Sequence, residues 1–238
     1  MDAKNLSMRL LAVAKYVPKR ARLADIGSDH AYLPAYLTLN EQLDFAVAGE
    51  VVNGPYQNAL NEIKKENLTR QIKVRLADGL AAIKPEDKID TITICGMGGS
   101  LICDILTKGK DKLATYPLLI LQPNVGEKNV RQWLSANGYQ IIAEEILTED
   151  KHIYEIIVAQ HVLKKVKYTK EELLFGPFLL KQANQIFIAK WQSELVKRTK
   201  ILTQLDNAKD ALLDKKAELL KEVKLIEGVL NGESKRDC

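Results

Sequence analysis

The spacing of apolar and polar residues alternates between strand-like and helix-like patterns along the first 160 residues. Short apolar, β-branched runs predict strands, and these end at Gly27, Glu50, Asp78, the glycines of residues 96–99, and Asn124. The stretches between them, and the one before the first, have apolar residues at helical spacing. In the N-terminal stretch we expect five side chains to be buried: Leu6, Leu10, Val13, Ala14 and Val17. Short strands alternating with amphipathic helices are typical of a parallel sheet covered on both faces.

The rhythm changes between residues 139 and 162. Two strand-like runs, QIIAEEIL and IYEIIVAQ, are separated only by the polar segment TEDKH. No helix fits between them, so they predict an antiparallel hairpin. Five parallel strands followed by a hairpin is the layout of class I methyltransferases, whereas a dinucleotide-binding domain would continue with another helical crossover. We therefore predict an α/β fold in which residues 1–162 form a Rossmann-like methyltransferase sheet.

The strand pattern ends near residue 170, and residues 163–238 read as helices. Two sets of apolar residues have helical spacing. The first comprises Phe187, Trp191, Leu195, Leu202 and Leu205, and the second Leu212, Leu219, Val223, Ile226 and Leu230. The last four form a coiled-coil-like seam. The segment DNAKD between the sets favours a turn in which Asp206 or Asn207 caps the second helix. We predict an antiparallel helical hairpin.

The charge of the chain is unevenly distributed. From residue 160 onward there are 16 Lys and Arg against 11 Asp and Glu, whereas the preceding residues carry a net charge of −1. A local basic surplus favours a polyanionic partner, although a solvated lysine-rich helix would have the same composition. No apolar run approaches the roughly 20 residues that span a bilayer. The three cysteines lack the spacing of a zinc site or disulfide framework. We expect a cytoplasmic protein with no metal and no membrane contact.

Candidate binding residues cluster at the predicted strand ends, where open parallel sheets bind ligands. Asp25 and Gly27 end the first strand. Glu50 ends the second, close to the offset at which a carboxylate meets ribose hydroxyls. Asp78 and Gly79 follow the third, and the fourth ends in CGMGG. Each residue alone fits an ordinary turn, but the ordered set favours a nucleoside site.

A pyrophosphate is not expected in this site. The further glycines that would admit it are replaced by Asp29 and Ala31, and the motif GxxxxGK[ST] is absent from the sequence. Asp25, Glu50 and Asp78 would make the pocket acidic, which favours a cationic ligand. S-adenosylmethionine has a ribose, a base and a positive sulfonium but no phosphate, so it fits better than NAD.

Several blocks of the sequence resemble the bacterial tRNA (adenine-22)-N1-methyltransferase family. They are SMRLLAVAKYVP, LADIGSDHAYLP, AGEVVNGPYQNA, DGL, ITICGMGG, LQPN with RQWL, and GPFLL. The blocks stand in the family's order and cover nearly the whole chain. Cys95 stands where alanine is typical of the family, a change between small residues.

The resemblance implies methyl transfer from S-adenosylmethionine to N1 of an adenine in the D-arm region of tRNA. It places these residues at the cofactor: Asp25, Gly27, Ser28, Glu50, Val51, Asp78, Gly79, Gly96, Met97 and Gly98. Asp29 and His30 become the candidate catalytic residues. The expected substrate contacts are Arg9, Tyr32, Asn124, Lys197, Arg198 and Lys200. We expect a monomer or weak homodimer.

Adenine N1 has a lone pair and needs no base, so orientation and charge stabilisation would carry the catalysis. Asp29 is expected to accept a hydrogen bond from the exocyclic amine and to oppose the positive charge that develops. The alternative is that Asp29 caps the following helix. His30 is expected to stack on or hydrogen-bond with the base, or else to pack within the turn.

Other functions remain open from the sequence. The fold also suits a methyltransferase acting on another RNA or a small molecule, and a non-catalytic RNA-binding protein. Enzymes that methylate exocyclic amines commonly have a (D/N)-P-P-(Y/F) turn after the fourth strand, which CGMGG does not match. The segment QPN after the fifth strand resembles that turn weakly, but in another position. Cys95 is either a methyl-accepting nucleophile or, more simply, a buried apolar residue.

Overall fold

The computed structural model describes residues 2–206 and 213–232. Internal contacts divide the chain into two compact units, residues 1–178 and residues 179–238. Residues 163–178, which we assigned to the helical part, lie in the first unit. The predicted turn after Asp206, together with Leu212, lies outside the described residues. Within the described ranges, no helix is both long enough and apolar enough to cross a membrane.

The first unit contains one seven-stranded sheet. Its strands are β1 (Ala21–Ile26), β2 (Leu43–Glu50), β3 (Ile72–Leu76), β4 (Thr91–Gly98), β5 (Leu118–Val125), β6 (Tyr139–Glu149) and β7 (His152–His161). Their order is β3-β2-β1-β4-β5-β7-β6. The first five pair in parallel, and β7 pairs antiparallel with both β5 and β6. The predicted α/β sheet with its closing hairpin is confirmed.

Helices precede, connect and follow these strands. They are α1 (Met8–Tyr16), α2 (Tyr32–Leu39), α3 (Asn53–Lys65), α4 (Gly99–Lys108), α5 (Glu127–Ala136) and α6 (Lys170–Phe175). Two buried apolar clusters pack on the sheet, one including α1, α2 and α3 and the other α4 and α5. The five apolar residues predicted to be buried near the N-terminus are all buried.

The strand order fixes where a ligand can enter. From β1 the chain moves outward to β2 and β3, then returns to β4 on the other side of β1. Helices after β1 and β4 therefore leave on opposite sides, and a crevice opens between the carboxyl ends of these two strands. Asp25 lies near the end of β1. The first four residues of the CGMGG segment form the end of β4, and its last residue, Gly99, begins α4.

A buried ionic cluster holds residues 173–178 within the first unit. Arg131 of α5 donates to Glu144 of β6 at 2.7 Å and to Glu155 of β7 at 2.5 Å. Its remaining Nη donates to the Leu174 carbonyl at 3.2 Å, and Glu144 accepts the Phe178 amide at 2.9 Å. The three charged side chains are fully buried. Buried charges need this degree of hydrogen bonding to be tolerated.

The same cluster requires a glycine. Gly176 has φ +89°, and a Cβ there would lie 2.5 Å from Glu144 Oε2 and 2.7 Å from Arg131 Nη2. The sequence block GPFLL, which begins at this residue, therefore has a structural role in closing the first unit.

The second unit consists of α7 (Leu179–Gln182), α8 (Gln185–Asp206) and α9 (Leu213–Leu230). Helices α8 and α9 contact each other. Buried apolar residues occur on both, namely Phe187, Trp191, Leu202, Val223 and Ile226. Arg198 of α8 also donates to Glu222 of α9 at 3.2 Å. The predicted pair of helices is confirmed.

Candidate active site

The turn after β1 has an unusual backbone. Gly27 has φ +67°, and Asp29, His30 and Ala31 follow with φ values of 43°, 68° and 58°. Non-glycine residues avoid this left-handed region because it costs roughly 1–2 kcal/mol per residue. Strain of this kind is found where surrounding structure holds a functional turn in place. The chain thus leaves β1 in a tight turn, which the Gly27 and Ser28 amides tie to the Gly49 carbonyl of β2 at 2.9 and 3.3 Å.

The same geometry decides one alternative for Asp29. Helix α2 begins at Tyr32, its N-cap residue is Ala31, and no side chain makes the capping hydrogen bond. The interpretation of Asp29 as the helix cap is therefore wrong. Its side chain is 75% exposed, with His30 Nε2 lying 3.6 Å from Asp29 Oδ1. His30 itself stacks on the Tyr32 ring, with centroids 5.2 Å apart.

Asp25 fixes the turn to the neighbouring strand. Its carboxylate is buried and accepts from the Ser28 hydroxyl at 2.5 Å and from the Thr93 hydroxyl at 2.6 Å. Burial raises the pKa of Asp25, and the two hydroxyl hydrogen bonds and the Arg9 charge oppose that rise. Asp25 therefore links β1, β4 and the strained turn, and it contributes negative potential to the crevice.

Glu50 has a carboxylate oxygen left unpaired. The residue is only 6% exposed, and its Oε1 accepts no hydrogen bond from the described part of the chain. Burial raises the pKa of Glu50, while a hydrogen bond from the Asp29 amide opposes the rise. An orphaned buried acceptor is costly unless a ligand supplies a donor. A ribose hydroxyl is such a donor, so the residues present fit S-adenosylmethionine.

A second network lies across the crevice, centred on Gln122 of β5. Gln122 is fully buried. Its Oε1 accepts from Arg9 Nη1 at 2.5 Å and from the Gly96 amide at 3.0 Å. Its Nε2 donates to Asn124 Oδ1 at 3.1 Å, and Asn124 Nδ2 donates to the Gly96 carbonyl at 2.8 Å. The Arg9 guanidinium also lies 5.4 Å from the centre of the Tyr154 ring.

Gln122 and Tyr154 were not among our predicted site residues. The only signal for Gln122 was the QPN segment, which we noted as an echo of another motif. Tyr154 lies on β7, and its position near the crevice depends on the antiparallel pairing of that strand beside β5.

The crevice forms a cavity of about 320 Å³. Eight predicted site residues line it: Arg9, Asp25, Gly27, Ser28, Asp29, Gly96, Met97 and Asn124. Leu10, Leu33, Cys95 and Tyr154 complete the lining. The turn after β1 and the end of β4 approach closely here, because a Cβ at Gly27 would overlap Met97 Cε. Burial raises the pKa of the Cys95 thiol, which favours a packing role over a nucleophilic one.

The other predicted cofactor residues lie outside this cavity. Asp78 and Gly79 line a second cavity of about 310 Å³, together with residues of α4 and the segment after it. Val51 is exposed next to Glu50, and Gly98 is the N-cap residue of α4. The structure thus brings the β1, β4 and β5 ends together, with the β2 and β3 ends arranged beside them.

The three basic residues predicted on the second unit differ in their surroundings. Arg198 pairs with Glu194 and Glu222 and lies 5.7 Å from the centre of the Trp191 ring. Lys197 Nζ lies 3.0 Å from Glu194. Lys200 is exposed. The charge of Arg198 is therefore engaged within the helical unit, and Lys200 is the most available of the three.

Comparison with known proteins agrees with this geometry. A curated tRNA (adenine(22)-N(1))-methyltransferase of Bacillus subtilis is 44% identical over 235 residues, covering 94% of this chain and 98% of that protein. A Streptococcus agalactiae structure of the NADB-Rossmann superfamily is 50% identical, covers 97% of this chain and 99% of its own, and has a TM-score of 0.88.

A third relative was solved with a ligand. A Streptococcus pneumoniae protein, a candidate tRNA (m1A22) methyltransferase in complex with S-adenosyl-L-methionine, is 42% identical. The match covers 95% of this chain and 100% of that one, with a TM-score of 0.86. The model of the TrmK family, tRNA (adenine(22)-N(1))-methyltransferase, matches residues 23–228. The chain therefore belongs to the TrmK family of tRNA (adenine(22)-N(1))-methyltransferases.

Proposed function

We infer that this protein transfers a methyl group from S-adenosylmethionine to N1 of adenine 22 in tRNA. The observation that carries the inference is the buried carboxylate oxygen of Glu50, at the end of β2, which accepts no hydrogen bond from the described residues. The cavity between β1 and β4 adds two further carboxylates, those of Asp25 and Asp29. Membership of the TrmK family supplies the reaction and the nucleotide.

The cofactor roles follow from the order of the strand ends. We propose that Glu50 accepts from the ribose hydroxyls and that Asp78 and Gly79 bind the base. Gly27 and Ser28 would offer backbone to the methionyl part, with Gly96, Met97 and Gly98 facing them from β4. Val51 would pack on the base or ribose from its exposed position beside Glu50. S-adenosylmethionine supplies the electrophilic methyl group.

The chemical step needs orientation more than proton transfer. Adenine N1 attacks the methyl carbon in line, its lone pair forming the new bond as the sulfonium takes back the carbon–sulfur pair. The methylated base becomes cationic. We propose that Asp29, whose carboxylate is exposed at the cavity, accepts from the exocyclic amine and stabilises that charge. His30 and Tyr32, already stacked on each other, would offer an aromatic surface beside the base.

Binding of tRNA is assigned to basic groups on both units. Arg9 would contact the substrate at the cavity, and Lys197, Lys200 and more weakly Arg198 would contact phosphates along α8. We propose that catalysis belongs to the sheet-containing part and tRNA holding to the helical part. We further propose that the protein is cytoplasmic and acts as a monomer or weak homodimer.

The test is direct. The protein is incubated with labelled S-adenosylmethionine and unmodified tRNA, and the product is digested and mapped by mass spectrometry. We expect one methyl group, on N1 of adenine 22. Cofactor binding with label at another nucleotide or in another RNA would overturn the substrate assignment. RNA binding without any methyl transfer would show a non-catalytic protein.

A further inference from the structure

The amide of Asn124 is held in one orientation at the edge of the cavity. Its oxygen accepts from Gln122 Nε2 at 3.1 Å, and its nitrogen donates to the Gly96 carbonyl at 2.8 Å. An asparagine amide has two donor hydrogens and two acceptor lone pairs. One donor and one acceptor therefore remain, on an exposed side chain that lines the cavity.

Gln122 decides which end of that amide is the acceptor. Its own oxygen is occupied by Arg9 and the Gly96 amide, so only its nitrogen is available to Asn124. That nitrogen also donates to the Pro123 carbonyl at 3.1 Å, which completes its hydrogen bonds. A reversed Asn124 amide would place two NH₂ groups together and two oxygens together. The Asn124 donor and acceptor are thus fixed before any substrate arrives.

The reaction restricts how the adenine can be recognised. Because N1 must present its lone pair to the methyl group, no enzyme donor can occupy it. The Hoogsteen edge of the base, with the N7 acceptor and one hydrogen of the exocyclic amine, stays free. An asparagine amide matches that edge with two hydrogen bonds.

We propose that Asn124 determines specificity by reading the N6/N7 edge of the target adenine, and that Gln122 is the positioning residue that orients it. This proposal rests on the proposed function. The exocyclic amine has two hydrogens, so Asn124 takes the one near N7 and leaves the one near N1 to Asp29. Arg9 shares the Gln122 oxygen, which ties the substrate side of the cavity into the same network.

The experiment compares two RNA substrates, a tRNA with adenosine at the methylated position and the same tRNA with 7-deazaadenosine there. The second lacks only the N7 acceptor. We expect wild-type kcat/KM to fall about tenfold on the 7-deaza substrate, the usual effect of one lost hydrogen bond. Asn124→Ala should lower kcat/KM on normal tRNA by at least as much. The kcat/KM of Asn124→Ala should then be the same on both substrates, because in a double-mutant cycle the second change costs nothing once its partner has been removed.

Gln122→Met tests the positioning role. We expect it to lose the distinction between the substrates even though Asn124 is present, while cofactor affinity, measured by calorimetry, confirms that the pocket is folded. Asn124→Asp, which keeps the acceptor but not the donor, should also ignore the 7-deaza change. If wild type treats both RNAs alike, or Asn124→Ala keeps the full distinction, the proposal is overturned. If wild type fails to methylate normal tRNA, the proposed function fails first and this assignment falls with it.

Discussion

We expect the Glu50 carboxylate to strengthen cofactor binding and to lower the stability of the protein when no cofactor is bound. One of its oxygens is buried and accepts no hydrogen bond within the described ranges. We expect Glu50→Gln, which keeps the shape but removes the charge, to weaken S-adenosylmethionine binding by about 1–2 kcal/mol, because charged acceptors bind more strongly than neutral ones. The variant without cofactor should be at least as stable as wild type. Calorimetry measures the cofactor affinity, and urea unfolding measures the stability without cofactor. If Glu50→Gln lowers both, Glu50 has a structural role instead.

Asp29 should affect the chemical step rather than cofactor binding. Asparagine tolerates the left-handed backbone of this position, so Asp29→Asn keeps the turn while removing the charge. We expect single-turnover rates to fall by about 10², the scale of one lost electrostatic contact in a transition state. Affinity for S-adenosylmethionine should stay close to that of wild type. A variant with weak cofactor binding but a normal rate at saturation would place Asp29 in the cofactor pocket instead.

Asp25 makes stability depend on pH. Its folded pKa is raised by burial above the ordinary value of 3.8, so the unfolded chain loses its proton first. The contribution of Asp25 is therefore fully present below pH 3.8 and is lost as the pH rises through the folded value. As the pH rises from 3.8 through the folded pKa of Asp25, we expect wild type to lose stability relative to Asp25→Asn. A difference that is constant with pH would contradict the raised pKa.

Residue types and positions could be predicted better than residue conformations. Asp25, Gly27 and Glu50 were found because strand ends in a parallel sheet converge. The left-handed run at residues 29–31 was not, since it depends on hydrogen bonds to neighbouring strands rather than on local preference. Gln122 was missed for a similar reason: its role comes from Arg9 and Gly96, which lie on other segments, together with its neighbour Asn124.

At the level of elements, the segment carrying Gly176 tests how the first unit is closed. Gly176→Ala would place a Cβ within 3 Å of the buried Glu144 and Arg131 side chains, at a positive φ. We expect a loss of stability of about 2 kcal/mol or more, the range for steric conflict with a buried ionic pair. Gly54→Ala is the control, because a Cβ there meets nothing within 4 Å. It should be neutral or slightly stabilising in the same urea titration, and equal effects would show that the cluster is not rigid.

Most helices and strands could be predicted from the spacing of apolar residues. Five parallel strands and the hairpin were predicted because each buried strand is a short apolar run bounded by turn residues. The assignment of residues 163–178 differed, since a lone arginine and two glutamates give no sign in the sequence of being buried together. Their partners are main-chain groups of that segment.

For the whole molecule, the charge distribution predicts a salt-dependent hold on tRNA. We expect the double variant Lys197→Glu with Lys200→Glu to weaken tRNA binding and to make its salt dependence shallower by about 1–2 in slope, since each phosphate contact contributes roughly 0.7–0.9. The control reverses two exposed lysines of the first unit, Lys64 and Lys88, with the same change in net charge. Filter binding at several salt concentrations compares them. Equal effects in both variants would point to net charge alone.

The function came from different information than the fold. Periodicity and strand ends indicated a nucleoside site, and its acidity favoured a cationic ligand. The nucleotide that is methylated has no counterpart in periodicity or charge, so only the resemblance of particular blocks supplied it.

The buried ionic cluster also bears on how the chain folds during synthesis. Arg131, Glu144 and Glu155 leave the ribosome before the main-chain groups of residues 173–178 that complete their hydrogen bonds. Until then, the two carboxylates and the guanidinium lack their hydrogen bonds to main-chain groups. Burying these charges without those bonds is energetically unfavourable. The nascent sheet should therefore stay open at its hairpin edge, exposed to chaperones and proteases, until Phe178 has emerged. A chain released near residue 165 would remain at that stage.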